Sequence, residues 1–325
     1  MDEFLSELTS KVLNGYSVSR DDALALTLTD IDGLSACADE IRSHFCGSSF
    51  SVCSIVNVKS GLCSEDCSFC SQSIFYDTAI SIYPLLNDSL LENYTRGLIG
   101  KNLRRIGYVS SGRRLCGDEF ESLTSCIEKL CEEYDYGACV SLGFLTESMC
   151  ESLKACNVSC VHCNLETSEK YFKNICSTHE YGDKLKTIRN ARQYALNVCS
   201  GGIFGLGESW EDRIELALTL RSLNITSIPI NILNPIRGTP LADNDVISND
   251  ELCRIVALYR FINPESYIRL AGGRLLLEDN GRRAFQSGAN AAIMGDMLTT
   301  SGVDLEEDLS MIRSLGYHVS FDVEV

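Results

Sequence analysis

The sequence has little positive charge. Its 325 residues include 28 Lys and Arg against 45 Asp and Glu, which gives a formal net charge of −17 at pH 7. This charge repels nucleic-acid phosphates, and no run of basic residues interleaved with aromatics offsets it. The sequence therefore argues against a nucleic-acid partner, and we expect the acidic surface to serve solubility.

Long apolar segments and low-complexity linkers are also missing. Residues 1–30 contain no basic leader followed by an apolar run of the length that a signal peptide or a membrane helix needs. We therefore predict a cytoplasmic protein with no membrane partner. With 45% hydrophobic residues, the chain is long enough for a sizeable core, and one barrel domain is the default at this length.

Short β-branched segments alternate with helical patterns. The predicted strands are 52–58, 105–110, 137–143, 158–164, 197–204, 227–233, 267–272 and 290–295. The predicted helices between them include 118–134, 146–155, 183–196, 209–223 and 249–262. This alternation predicts an α/β fold, a (β/α)8 TIM-type barrel over residues 49–325, preceded by an N-terminal helical cap over residues 1–48.

Cysteine is abundant, with 17 residues, which we expect to be reduced and in many cases packed as small hydrophobes. Two groups share the spacing C-x3-C-x2-C, namely Cys63, Cys67 and Cys70, and Cys156, Cys160 and Cys163. The first group follows the first predicted strand, at the barrel end where active sites lie. The second enters a strand, where alternation sends Cys160 and Cys163 to opposite faces. Only the first group is therefore predicted to converge on a metal.

Three thiolates on a four-iron cluster leave one iron open for an exchangeable ligand. The spacing after the first barrel strand resembles the radical S-adenosylmethionine superfamily. The resemblance implies that Cys63, Cys67 and Cys70 hold a [4Fe-4S] cluster whose open iron binds S-adenosylmethionine, which is then cleaved to a 5′-deoxyadenosyl radical. Phe69 matches the aromatic residue beside the adenine, with ordinary loop packing as the alternative.

Further segments resemble the biotin synthase family, in the right order, between about residues 50 and 300. They are CSEDCSFCSQS, HCNLETS, VCSGGIFGLGES, PINILNPIRGTPLADN and YIRLAGGR. The resemblance implies sulfur insertion between C6 and C9 of dethiobiotin, with an auxiliary iron-sulfur cluster as the sulfur donor. The implied partners are dethiobiotin, S-adenosylmethionine and a flavodoxin or ferredoxin electron donor, and a homodimer stays open.

The resemblance also carries over individual residues. It implies that Asn164 and Glu166 contact the ribose of S-adenosylmethionine, and that Lys184 stands near the position of an arginine that grips the methionyl carboxylate. The implied dethiobiotin contacts are Lys59, His162, Asn164, Asn231, Thr299 and Thr300. Of these, His162 occupies a position where asparagine is usual. The alternative for each asparagine is capping of a strand end, and for Lys59 a solvated barrel rim.

The auxiliary site departs from the family. Three cysteines and an arginine usually hold this cluster, and Cys139, Cys199 and Arg269 match three of these ligands. The remaining cysteine position is Val109, which cannot bind iron.

Strand alternation supplies replacement thiols. Lys59 and Asn164 are implied substrate contacts, so their strand faces point into the barrel. Cys53 shares a face with Lys59, and Cys160 shares one with Asn164, so both thiols point inward. We therefore predict a larger auxiliary cluster, of four irons, on Cys53, Cys139 and Cys199, with Cys160 and Arg269 competing as the fourth ligand. The alternative is that small inward residues relieve crowding.

Two other functions compete with sulfur insertion. A relative of hydrogenase maturases or methylornithine synthases would use the radical without inserting sulfur, and NILNPIRGTPLADN and the inward cysteines argue against it. If the chain were a non-catalytic iron-sulfur binding protein, Asn164, Glu166 and Lys59 would have no binding function.

Overall fold

A computed structural model describes residues 3–295 and 302–320. In this part of the chain, all strands join one ten-stranded sheet of parallel pairs. The strands are β1 (Ser49–Lys59), β2 (Arg105–Ser110), β3 (Gly137–Ser141), β4 (Val158–His162), β5 (Asn197–Cys199), β6 (Gly202–Phe204), β7 (Ser227–Ile232), β8 (Tyr267–Leu270), β9 (Ala291–Ile293) and β10 (His318–Ser320). The sheet closes because β1 pairs with both β2 and β9. The predicted (β/α)8 TIM-type barrel is thus confirmed.

Helices surround the sheet. They are α1 (Glu3–Leu13), α2 (Arg20–Leu26), α3 (Ile31–Cys46), α4 (Asp88–Gly100), α5 (Asp118–Glu133), α6 (Glu147–Ala155), α7 (Glu169–Phe172), α8 (Tyr181–Gln193), α9 (Trp210–Ser222), α10 (Asn249–Ile262), α11 (Arg282–Phe285) and α12 (Leu305–Ser314). Among the described residues, no helix has the length and apolar character needed to span a membrane.

The fifth barrel strand differs from the prediction, since it is interrupted at residues 200 and 201 and forms β5 and β6. The interruption lies opposite Pro229 of β7, which has no N–H to donate to the neighbouring strand. Gly201 approaches this proline so closely that a Cβ on the glycine would lie 2.0 Å from the Pro229 carbonyl oxygen. The predicted strand 197–204 was therefore wrong in its continuity.

The N-terminal helices pack against the outside of the barrel. Ser19 and Asp22 form a reciprocal capping box at the start of α2, and the Asp30 side chain accepts the Gly33 N–H at the start of α3. Leu5 and Ile41 are fully buried in the hydrophobic cluster that includes the barrel. Because α3 contacts α10 and α2 contacts α9, this extension shares its core with the barrel.

The two faces of β1 differ in burial. Val56 and Val58 point outward and are buried, whereas Cys53 and Ile55 point inward and keep partial exposure because they line a cavity. The barrel interior therefore contains open space between its side chains. Several of the predicted ligand-binding residues line this space.

Candidate active site

A cavity of about 450 Å³ opens at the carboxyl-terminal ends of the barrel strands. Its volume lies within the range of roughly 300–1,000 Å³ that is typical of small-molecule sites. Thiols from two regions line it, Cys63, Cys67 and Cys70 from the loop after β1, and Cys53, Cys139 and Cys199 from the strands. Both predicted metal-binding regions therefore face one space.

The loop after β1, residues 60–73, is called the cysteine loop. Its backbone folds back on itself, because the Cys63 N–H donates to the Gln72 carbonyl at 2.9 Å and the Cys70 N–H donates to the Cys67 carbonyl at 2.9 Å. Burial raises the pKa of the Cys63 thiol and raises that of Cys70 to about 11. These thiols hold their protons until a cation compensates the thiolate charge.

The residues 175–179, which follow α7, clamp the cysteine loop. The Asp66 carboxylate accepts the N–H groups of Ser177 at 2.8 Å and Thr178 at 3.1 Å. The buried Glu65 carboxylate lies 2.6 Å from Nδ1 of His179 and 3.0 Å from Nη1 of Arg113. Burial acts to raise the pKa of Asp66, but its hydrogen bonds outweigh this effect and hold the pKa far below its usual value. The largest contribution among these bonds comes from the Ser177 side chain. Sequence reasoning missed this clamp.

Cys176 brings a further thiol to the cysteine loop. Its Sγ lies 3.9 Å from Cys67 Sγ and 3.2 Å from His179 Nδ1. Because the Cys67 thiol donates to Cys176, the pKa of Cys67 is raised and that of Cys176 is lowered to about 4. The spacing Cys-x2-His at residues 176–179 was the sequence signal that could have identified this neighbour.

The residues predicted to bind S-adenosylmethionine share the cavity of the cysteine loop, and Phe69 is part of that loop. Phe69, Asn164, Glu166 and Lys184 all line the cavity. Glu166 follows β4 with a φ of 71°, and its Oε1 lies 3.6 Å from Lys184 Nζ. Burial acts to lower the pKa of Lys184, but Glu166 and neighbouring thiols outweigh it, so the pKa is raised. In the described part of the chain, Glu166 Oε2 is buried without a hydrogen-bond partner.

The deep thiols, Cys53, Cys139, Cys160 and Cys199, lie in the barrel interior. Cys139 and Cys160 are register partners on β3 and β4. Their hydrogen bond raises the pKa of Cys139 and lowers that of Cys160 to about 7. Cys199 Sγ lies 3.3 Å from Ser227 Oγ. Cys163 Sγ lies 3.9 Å from the Lys184 carbonyl oxygen of α8, and Cys163 lines the cavity, whereas Cys160 does not.

Two buried guanidinium groups accompany the deep thiols. Arg269 Nη1 lies 3.3 Å from Cys53 Sγ, and Arg269 Nη2 donates to Ser51 Oγ at 3.0 Å. Arg105 also donates to Ser51 Oγ, at 3.3 Å. Burial acts to lower the pKa of Arg105, but the deep thiols outweigh it, Cys53 first. Within residues 3–295 and 302–320, neither arginine forms an ion pair with a carboxylate. Sequence reasoning missed Arg105.

The residues predicted to contact dethiobiotin differ in their hydrogen-bond partners and burial. His162 and Asn231 line the cavity, and burial lowers the pKa of His162, which favours a neutral imidazole. Asn231 accepts the Gly272 N–H at 3.0 Å and donates to the Gly202 carbonyl at 3.1 Å. Asn164 similarly accepts the N–H of Gly201 at 3.0 Å. Both asparagines therefore hold neighbouring backbone groups at the strand ends.

Lys59 contacts a carboxylate of the neighbouring helix α5. Lys59 Nζ forms an ion pair with Glu119 Oε2 of α5 at 2.6 Å, a partner that the sequence did not reveal. Thr299 and Thr300 lie outside the described residues.

Comparison with known proteins extends over nearly the whole chain. Residues 57–220 match the model of the radical SAM superfamily, and residues 229–318 match the biotin and thiamin synthesis associated domain. Biotin synthase of Brachyspira hyodysenteriae is 45% identical over 97% of this chain and 95% of its own length. Biotin synthase of Akkermansia muciniphila is 47% identical over 97% of this chain and 98% of its own length.

Solved structures share the fold at low sequence identity. Methylornithine synthase superimposes with a TM-score of 0.83 at 19% identity, covering 96% of this chain and 97% of that one. The FeFe-hydrogenase maturase from Carboxydothermus hydrogenoformans gives a TM-score of 0.82 at 17% identity, covering 98% of this chain and 80% of that one. At these identities the likenesses show the fold alone, whereas the biotin synthases are also similar in sequence. On the cysteine loop, the matched family models and these relatives together, the chain belongs to the biotin synthase family of radical S-adenosylmethionine enzymes.

Proposed function

We propose that this chain inserts sulfur between C6 and C9 of dethiobiotin to give biotin, using S-adenosylmethionine as the radical source. The observation that carries the proposal is one cavity lined both by the cysteine loop and by three of the deep thiols, Cys53, Cys139 and Cys199. A sulfur donor and a radical source must both reach one substrate. A shared cavity meets this requirement.

The cysteine loop suits a cluster with one open iron. It presents three thiols, Cys63, Cys67 and Cys70, to the cavity. Beside them, the orphaned oxygen of Glu166 is an acceptor that awaits a donor such as a ribose hydroxyl. Lys184, held charged by Glu166, supplies a cation for the methionyl carboxylate, without the two-pronged geometry of an arginine.

The deep thiols suit an anionic auxiliary cluster. Arg105 and Arg269 are buried cations, and burying an uncompensated charge costs several kcal/mol. Thiolates on iron would supply the missing negative charge. We infer that Cys53, Cys139 and Cys199 hold a four-iron cluster. Cys160 is the fourth ligand in this proposal, with Arg269 as its competitor.

When bound, the cysteine-loop cluster supplies the electron that cleaves S-adenosylmethionine, and the auxiliary cluster supplies the sulfur atom. The chain's own residues bind and orient the substrates. The neutral His162 offers one donor and one acceptor to the cyclic urea, and Asn231 keeps one N–H beyond its two backbone contacts. Ile55 and Val109 give the cavity apolar walls that keep water from a reactive radical.

Membership of the family supports three further proposals, on the electron donor, the location and the oligomeric state. We infer a one-electron donor of the flavodoxin or ferredoxin class, a cytoplasmic location and a homodimer. The division into an extension over 1–48 and a barrel domain over 49–325 is likewise proposed.

The test is anaerobic reconstitution of the full chain with iron and sulfide, followed by incubation with dethiobiotin, S-adenosylmethionine and a reductant. We expect about eight irons per chain, for two four-iron clusters, and biotin with 5′-deoxyadenosine by mass spectrometry. About four irons and 5′-deoxyadenosine without biotin would favour a relative that does not insert sulfur. Failure to bind S-adenosylmethionine would favour a non-catalytic protein.

A further inference from the structure

We propose that Cys67, Cys176 and His179 form a mononuclear metal site that takes a divalent ion, Fe²⁺ or Zn²⁺, in the cluster-free chain. The three side chains place their ligand atoms within 4.8 Å of one another. Thiolate and imidazole are the ligands that both ions accept. The fourth position is left to water.

The spacing of the two sulfur atoms favours a single ion. Thiolates bound at about 2.3 Å to one tetrahedral ion lie roughly 3.8 Å apart. Cys67 Sγ and Cys176 Sγ are 3.9 Å apart. Thiolates on different irons of one cluster each bind their own metal and lie farther apart. Cys176 is therefore poorly placed as a fourth ligand of the cysteine-loop cluster and well placed to share one ion with Cys67.

The histidine presents Nδ1 to the two thiols. Its Nδ1 lies 3.2 Å from Cys176 Sγ and 2.6 Å from Glu65 Oε2, whereas its Nε2 lies 3.8 Å from Cys176 Sγ. Nδ1 is therefore the nitrogen that would bind the ion, in the tautomer that carries its proton on Nε2, and the Glu65 carboxylate would lie beside the bound ion. The ring is also wedged between Phe144 and Phe172, at centroid distances of 5.0 and 5.5 Å. The imidazole is thus oriented before any ion arrives.

The backbone around the site is fixed by hydrogen bonds from backbone N–H groups, and Asp66 Oδ1 also accepts the Cys176 thiol at 3.2 Å. Asp66 accepts the N–H groups of Ser177 and Thr178, and the Ser68 N–H donates to the Ile175 carbonyl at 2.8 Å. These bonds tie the cysteine loop to the segment that carries Cys176 and His179. Preorganisation of this kind lowers the entropy cost of binding an ion.

The site shares Cys67 with the cysteine-loop cluster, so occupancy of one excludes the other. This exclusion rests on the proposed function, in which Cys67 is a cluster ligand, whereas the mononuclear site itself does not. We infer that a single iron bound here precedes cluster assembly, and that zinc bound here delays it.

The first experiment titrates the cluster-free full chain with Co²⁺ alone, under anaerobic reducing conditions. A background with Cys53→Ser, Cys139→Ser, Cys160→Ser and Cys199→Ser removes competition from the deep thiols. We expect one equivalent of tetrahedral cobalt with thiolate-to-cobalt charge-transfer absorption. Cys176→Ser should remove about half of that absorption, and His179→Gln should weaken binding about tenfold or more.

Cys63→Ser is the matched control. Cys63 belongs to the cysteine loop but not to the proposed site, so this variant should keep the cobalt spectrum. Equal loss in Cys63→Ser and Cys67→Ser would place cobalt on the three loop cysteines and overturn the proposal. The absence of a tetrahedral spectrum would also overturn it. If the background does not fold, the difference spectra of single variants in the unmodified chain decide between the same outcomes.

The second experiment follows cluster formation by visible absorbance. Chain preloaded with one equivalent of Zn²⁺ should assemble its cysteine-loop cluster several-fold more slowly than zinc-free chain, and Cys176→Ser should abolish this delay. An equal delay in Cys176→Ser would refute the exclusion while leaving the cobalt result to judge the site. Loss of biotin formation with both metal results intact would refute only the proposed function.

Discussion

Arg269 contacts Cys53 inside the barrel, with 3.3 Å between Nη1 and Sγ. Two candidate ligands of the auxiliary cluster are therefore neighbours, on β8 and β1. The guanidinium also donates to the Ser51 and Ala292 carbonyls. These backbone bonds favour an electrostatic role for Arg269, and Cys53 over Arg269 as the iron ligand in the proposed auxiliary site.

We predict that Cys53→Ala loses the auxiliary iron and makes no biotin, yet still cleaves S-adenosylmethionine. Mössbauer spectroscopy and product analysis on the reconstituted chain measure both effects. Cys37→Ala, a buried thiol on α3, is the matched control and should behave as the unchanged chain. A normal auxiliary cluster with a normal biotin yield would mean that Cys53 is only packing.

Replacing Cys63, Cys67 or Cys70 by Ala should abolish formation of 5′-deoxyadenosine, because two thiolates cannot support a cluster with an open iron. Chromatography of the reaction products measures this loss. The exposed Cys116 provides a control, since Cys116→Ala should retain full cleavage. Retained cleavage in any one of the three variants would refute the assignment of the cysteine loop.

Glu166→Gln should raise the KM for S-adenosylmethionine about tenfold or more, since it removes a charged acceptor and the partner of Lys184. Steady-state kinetics at saturating dethiobiotin provides the measurement. Glu169→Gln, on the exposed side of α7, should leave the KM unchanged. An unchanged KM in Glu166→Gln would show that its orphaned oxygen faces no cosubstrate.

Lys59 can be tested through its ion pair with Glu119. If Lys59 binds the dethiobiotin carboxylate, Lys59→Met raises the KM for dethiobiotin, and Glu119→Gln lowers it by releasing the ammonium group. Lys129→Met, at an exposed position on α5, controls for loss of surface charge. An increased KM in both Lys59→Met and Glu119→Gln would instead indicate that the pair only shapes the barrel rim.

The buried ion pair of Arg274 and Asp308 should stabilise the carboxyl-terminal helix α12. Asp308→Ala leaves a buried guanidinium unpaired, and we expect the free energy of unfolding to fall by about 3–5 kcal/mol. Urea denaturation of the cluster-free chain measures the change. The exposed pair of Arg283 and Asp250 is a control of the same chemistry, for which Asp250→Ala should cost less than about 1 kcal/mol.

The sequence by itself determined much of the fold and part of the site, because these depend on patterns among neighbouring residues. The alternation of short apolar strands with amphipathic helices predicted the barrel, because the periodicities of strands and helices can be read from neighbouring residues in the sequence. The same alternation predicted inward faces for Cys53, Cys139, Cys160 and Cys199, and all of these except Cys160 line the cavity. The spacing of Cys63, Cys67 and Cys70 marked the loop after β1 for the same reason.

Only the tertiary structure decided which distant residues meet. The break between β5 and β6 lies opposite Pro229 of the neighbouring strand, which Gly201 approaches closely. The ion pair of Lys59 joins residues 60 positions apart, and the contact between Cys67 and Cys176 joins residues 109 positions apart. Such contacts are set by how whole strands and helices pack, and no local period encodes their partners. The sequence therefore determined the barrel and its inward thiols, whereas packing decided which charges and ligands surround them.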